Sequence, residues 1–164
     1  MLTRNKRFFS FLRCWSLRRG SFQGLVSATQ FRTFAFKGVP EGAAIGYDAR
    51  HTATRATRIA TCPAGYNDGL PYALSNRGEA MVRGHRVPIV GSVTMDYVLL
   101  DVGDVPDAAV GDEVTLIGAG LKAEDLARWA GTIPYEVTCR LGKRVGRIAA
   151  NAEQPMPAAF RVVA

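Results

Sequence analysis

This chain is short of the residues that announce a metal centre, a disulfide framework or a membrane anchor. Its 164 residues include three cysteines and two histidines. Cys14, Cys62 and Cys139 do not have metal-ligand spacing, so no metal site is expected. An odd, sparse set of thiols is not a disulfide scaffold either; it fits a reducing, cytoplasmic compartment. Cys62 and Cys139 lie among apolar neighbours and are expected to be buried thiols, since free cysteine packs as a small hydrophobe. No run approaches the roughly 18 apolar residues of a membrane-spanning helix, which excludes that class.

Acid is the second shortage, and it is local. The first forty residues hold no Asp or Glu but carry eight bases, from Arg4 to Lys37. From Glu41 onward, 13 bases face 14 acids, a formal charge of −1. The net charge of +7 therefore comes from the first forty residues, six of whose eight bases lie in the leader, residues 1–28. A near-neutral body has no general electrostatic reason to seek nucleic acid. Two readings of residues 1–28 stand: an Arg-rich, acid-poor transit peptide, or a non-native start joined to a truncated gene. The second is preferred because the segment has no clean amphipathic period. On either reading the leader is expected to be disordered.

What is present is mostly short strands. Phe31–Phe36 reads as a strand ended by Gly38 and Pro40, and Thr57–Cys62 as the next. Glu79–Val82 and Val87–Val90 flank Arg83-Gly84-His85-Arg86, a hairpin with Gly84 at positive φ, and Pro88 belongs on an edge or bulge. A longer strand over Val93–Val102 and another over Glu113–Ile117 are separated by turn residues. One helix is expected over Ala123–Ala130, with acids in its first turn and Gly131 after it, though no Ser, Thr, Asp or Asn caps it. A second short helix covers Tyr135–Leu141. The reading is a mostly β domain over 29–150, a small barrel or sandwich with one or two short helices. A poorly ordered basic segment precedes it, and a loose Pro- and Ala-rich tail over 151–164 follows.

Within this frame two tyrosines sit on glycine-bearing turns, in Ile45-Gly46-Tyr47-Asp48 and in Ala64-Gly65-Tyr66-Asn67-Asp68-Gly69. A phenol on a tight turn is displayed rather than packed, so the pair is presented to a ligand or partner.

Several motifs in one order carry a resemblance. Arg58-Ile59-Ala60 through Gly65-Tyr66-Asn67-Asp68-Gly69, then Ala73-Leu74-Ser75-Asn76, resembles the C-terminal domain of alanine racemase. So do Pro88-Ile89-Val90-Gly91 leading into Met95-Asp96, Val110-Gly111-Asp112-Glu113-Val114, and Gly131-Thr132-Ile133-Pro134-Tyr135-Glu136-Val137. The resemblance implies a β domain that follows a barrel binding pyridoxal 5′-phosphate (PLP), in an enzyme that interconverts L- and D-alanine for peptidoglycan. It also implies a head-to-tail dimer, in which the β domain of one chain reaches the barrel mouth of the other. The family's PLP lysine lies in a Val-Lys-Ala-Asn-Ala-Tyr-Gly-His-Gly type segment. Lys6, Lys37, Lys122 and Lys143 have no such neighbours. The fragment is therefore expected to be inactive alone.

Carried over by position, Tyr47 matches the catalytic tyrosine, the base on the L-alanine face. Racemisation removes the Cα proton from one face and returns one to the other, so two bases must oppose each other. An ordinary phenol ionises near pH 10, and working near pH 7 requires roughly 4 kcal/mol of environmental help. Tyr66 matches an entryway tyrosine and Asp96 belongs to the same region. Met95 matches the residue whose amide faces the substrate carboxylate, and Tyr135 one that hydrogen-bonds the PLP phosphate. Three positions depart from the family. Asp48 replaces a glycine and sets a negative charge beside Tyr47, opposing its ionisation. Tyr72 stands where arginine is usual, and Asn67 replaces alanine. The competing reading is a standalone β-barrel binding module with a basic arm for nucleic acid or an acidic partner.

Overall fold

The structure, a computed structural model, describes residues 9–12, 28–118 and 120–149. Most of the leader and the 151–164 tail lie outside the described residues. The strands run in order β1 (Phe9–Leu12), β2 (Ala28–Arg32), β3 (Ala35–Val39), β4 (Ala44–Ile45), β5 (His51–Thr52) and β6 (Thr57–Cys62). They continue with β7 (Glu79–Val82), β8 (His85–Pro88), β9 (Val98–Asp101) and β10 (Glu113–Ile117). Helices α1 (Ala123–Ala130) and α2 (Pro134–Cys139) precede β11 (Gly146–Ala149). The described part is mostly β with two short helices. No helix in it is long and apolar enough to cross a membrane.

Six strands form one sheet in the order β11-β1-β2-β10-β7-β8, and three form a second in the order β3-β6-β9. All pairs are antiparallel except β1 with β11. A two-stranded ribbon, β4-β5, stands apart. Neither large sheet closes on itself, so of the two expected architectures the open sheets exclude a closed barrel. A bridge between Ile89 and Leu100 ties the end of the first sheet to β9. The shared core is largely aliphatic: Ala60, Cys62, Val82, Val98, Leu100, Val114 and Leu121 have no exposed surface. Each fully buried Val or Leu stabilises by roughly 1.5–3 kcal/mol relative to exposure.

Two expected strands are broken where hydrogen bonds change partner. Phe31–Phe36 is not one strand. Thr33 gives its N–H to Asp112 and its hydroxyl to Ala109, beside β10, whereas the Phe34 N–H goes to Thr61 on β6. The chain leaves one sheet for the other between these residues. The Val93–Val102 segment also shortens to Val98–Asp101, because Thr94 and Tyr97 close a turn through both their backbones and the Thr94 hydroxyl. The β7-β8 hairpin is tighter than expected: Arg83 (φ 49°) and Gly84 (φ 80°) form a two-residue connection with both φ positive. Pro88 falls on the edge strand β8, where a missing N–H costs no ladder bond.

The expected helix Ala123–Ala130 forms, burying Leu126 and Ala127 with Trp129 and Ala130 half-covered. The missing N-cap is made up from within: Asp125 accepts the Lys122 N–H at 3.0 Å. Helix α2 buries Val137. Cys139, two residues on and thus about 200° further round the helix, is exposed. The expectation of two buried thiols holds for Cys62 and fails for Cys139.

Candidate functional site

Tyr47 sits at the tip of the β4-β5 ribbon, where Ala44 pairs with Thr52 and Ile45 with His51. The loop between is a 3₁₀ turn, Tyr47–Ala49, preceded by Gly46 at φ 80°, ψ −175°. Only glycine occupies that backbone region without strain. Asp48 (φ 63°) and Ala49 (φ 50°) are both left-handed. The ring is thrown outward, with Tyr47 74% exposed. The turn also explains how an acid can replace the glycine that the resemblance places at 48. Aspartate is among the few side chains that visit this conformation readily, so the backbone is kept and only the charge changes.

The base of the turn is fixed by neighbours from the region just before Met95. A Cβ on Gly46 would lie 3.4 Å from the Gly91 Cα, so the two backbones are in close contact. Asn76 bridges them, donating to the Arg50 carbonyl at 2.9 Å and accepting the Gly91 N–H at 2.6 Å. Ser75 accepts the Val93 N–H at 2.9 Å. The Arg50 guanidinium donates to the Tyr72 hydroxyl and lies 5.8 Å from that ring's centre. Tyr72, the second departure from the family pattern, thus holds a cation that comes from the Tyr47 turn.

Tyr66, Met95 and Asp96 are brought together directly. The Tyr66 N–H donates to Thr94 at 3.0 Å and the Asn67 N–H to Met95 at 3.1 Å. Gly65 allows this approach, because a Cβ there would lie 2.2 Å from the Met95 carbonyl oxygen. Asp68 is buried and its Oδ2 accepts the Gly65 N–H at 3.0 Å, closing the Tyr66 turn from inside. Arg144 reaches both carboxylates, with Nη1 donating to Asp96 Oδ1 at 2.7 Å and Nε 3.3 Å from Asp68 Oδ1. Its guanidinium is held above the ordinary arginine range, first by the Asp96 hydrogen bond against the opposing effect of burial, then by the charges of Asp68, Asp96 and Tyr97. Burial, and then Asp68, push the Cys62 thiol far up as well. Tyr66 and Met95 are about half exposed.

Tyr135 lies in the first turn of α2, half exposed. The chain after α2, not Tyr135 itself, is what meets the cluster, where the Gly142 N–H donates to the Asp68 carbonyl at 3.0 Å. Among the site residues, Asp68 and Arg144 carry no local signal that singles them out. Asp68 was visible only as a turn residue, and Arg144 lies 48 residues from Asp96.

A family profile described as "Alanine racemase, C-terminal domain" matches residues 26–149. The alanine racemase of Geobacter sulfurreducens is 48% identical over 83% of this chain, and the chain spans 38% of that relative's length. That of Methylobacterium sp. is 50% identical over 66% of the chain, corresponding to 30% of the relative. Among solved structures, alanine racemase from Bartonella henselae with covalently bound pyridoxal phosphate superposes with a TM-score of 0.76 at 32% identity, over 81% of this chain and 37% of that one. Sequence and architecture agree, and the chain belongs to the alanine racemase C-terminal domain family.

Proposed function

We propose that this domain supplies one wall of a cytoplasmic alanine racemase active site, presenting Tyr47 as the proton-transferring base to a substrate held in a barrel domain. One observation carries the reading: among the described residues Tyr47 is the most exposed of the large apolar and aromatic side chains, on a turn whose base is tied to the Met95 loop. A phenol held out this way, beside a loop with free surface, suits delivery into another domain's cavity. The Tyr47 oxygen exchanges a proton with Cα on the L-face, the Met95 amide receives the substrate carboxylate, and Tyr66 and Asp96 line the approach.

The residues present fit a phosphate contact and not a covalent cofactor anchor. Tyr135, half exposed in the first turn of α2, is the side chain that would meet a PLP phosphate oxygen. Of the described lysines, Lys37 is exposed on β3, Lys122 just before α1 and Lys143 after α2, and none has the neighbours of the family's PLP lysine. PLP, when bound, supplies the electron sink that makes the Cα proton labile; the lysine that anchors it belongs to the barrel. The nucleic-acid-module reading has no observation in its favour, since the charge that suggested it lies mostly in the leader.

Mixing this chain with a racemase barrel domain, PLP and L-alanine tests the reading. D-alanine is expected from the mixture and not from either part, and Tyr47→Phe is expected to lower the rate by about 10²–10⁴. Racemisation by this chain alone, or an undiminished rate with the Phe variant, overturns it.

A further inference from the structure

We infer that Arg144 is a positioning residue, a single guanidinium that locks the turn carrying Met95 and Asp96 to the turn carrying Tyr66. The inference rests on the reading just given for the functional meaning of those two turns, but its geometry stands by itself. Two backbone bonds from adjacent residues, Tyr66 to Thr94 and Asn67 to Met95, join the turns along one line. Two bonds in a line act as a hinge and leave rotation about it unopposed. Arg144 adds an attachment off that line, gripping Asp68 of one turn and Asp96 of the other.

The arrangement differs from an ordinary surface ion pair, which contributes little because water competes for both ends. The Asp68 side chain is 1% exposed, while those of Arg144 and Asp96 are about one-third exposed. A carboxylate so buried must keep its partners. Oδ2 is committed to the Gly65 N–H and Oδ1 faces Arg144. The arginine is also fixed from behind, since the Gly142 N–H two residues earlier bonds the Asp68 carbonyl. The guanidinium's place is thus set by the buried acid, and Asp96 is aligned to it. Moving the arginine moves the Met95 loop relative to Tyr66.

Site-resolved amide hydrogen exchange on the full chain tests this. In Arg144→Gln, the Tyr66 and Asn67 amides, which bridge the turns, are expected to exchange about tenfold faster or more relative to β6 and β9 amides. Arg144→Lys should recover part of the protection. Asp96→Asn, which leaves the buried Asp68 paired, should reproduce the local effect even if Arg144→Gln fails to fold. Uniform acceleration at every amide, or unchanged exchange at Tyr66 and Asn67, overturns the inference. In the barrel mixture, Arg144→Gln is expected to raise KM for alanine about tenfold with kcat within about twofold, and Arg144→Lys to recover part of that loss; a lowered kcat at unchanged KM counts against positioning. If the unsubstituted mixture is inactive, the functional reading falls while the exchange result still decides the lock.

Discussion

Tyr47 and Tyr66 are both exposed phenols on short 3₁₀ turns that follow a glycine, yet different forces hold them out. The Tyr47 turn is displayed by conformation: three residues in four have positive φ, and the side chains of Tyr47 and Asp48 are left to solvent. The Tyr66 turn is displayed by anchoring. Its backbone is conventional up to Gly69, and a buried acid, an arginine and two inter-turn bonds fasten it from below. The first stores strain beside the Tyr47 phenol; the second places its polar groups where they cannot rotate. On the function proposed above, a base that must enter another domain's cavity gains from the first kind of display, and a wall that receives a carboxylate gains from the second.

The sharpest way to break this contrast is at the two glycines. Gly65→Ala sets a methyl 2.2 Å from the Met95 carbonyl oxygen and 2.4 Å from that of Thr94, both backbone atoms with nowhere to go. The turns must part, at a cost of about 3 kcal/mol or more. Gly46→Ala meets nothing closer than 3.4 Å and carries only the backbone penalty of its φ and ψ, about 1–3 kcal/mol. Urea unfolding of the two variants should rank them in that order. Equal losses, or a reversed ranking, would mean that the Tyr66 turn is not packed against the Met95 loop in solution.

Next in size is a pH effect confined to the anchored side. Cys62 is buried and its thiol is pushed up, first by desolvation and then by Asp68. The native chain therefore keeps a proton that the unfolded chain releases near pH 8.5. This contribution is complete below that pH and is lost as pH rises toward the folded value, by about 1.4 kcal/mol per unit. Between pH 8 and 10 the unfolding free energy of the unsubstituted chain should fall more steeply than that of Cys62→Ala, by about 2 kcal/mol. Parallel pH profiles refute the assignment. The exposed Cys139 should meanwhile alkylate in the native state and Cys62 should not.

The same contrast governs what could be read from the chain. Thr57–Cys62, Glu113–Ile117 and Ala123–Ala130 were legible because local pattern and local hydrogen bonds agree over each of them. Gly46-Tyr47 and Gly65-Tyr66 were legible as displayed turns for the same reason, and the ordered motifs then gave the family. The errors came where partners are distant. Nothing near Thr33 and Phe34 tells that consecutive N–H groups serve Asp112 and Thr61, and the turn at Thr94–Tyr97 is hidden between the strand-forming Val93 and Val98. Cys139 looked apolar by its neighbours, but helix periodicity turns it to solvent. Arg144 was invisible because its role exists only once residues from three separate segments meet. The conformational site was thus written locally, and the anchored one was not.

The smallest expected effect is also the most specific to the strained side. Ala49 is left-handed with φ 50°, a region that costs an L-residue with a Cβ about 1–2 kcal/mol. Glycine removes that cost but adds roughly 0.5–1 kcal/mol of lost chain freedom on folding. Ala49→Gly is therefore expected to be stabilising by about 0.5 kcal/mol, or neutral, in thermal or urea unfolding. Ala60→Gly makes the same chemical change at a fully buried residue of β6, where no strain is relieved and a core methyl is lost. It should destabilise by about 1 kcal/mol or more. The difference in sign between two identical substitutions isolates the backbone term, because the side chain removed is the same. If Ala49→Gly destabilises as much as Ala60→Gly, the Tyr47 turn is not held in the left-handed region, and conformation cannot be what displays its phenol.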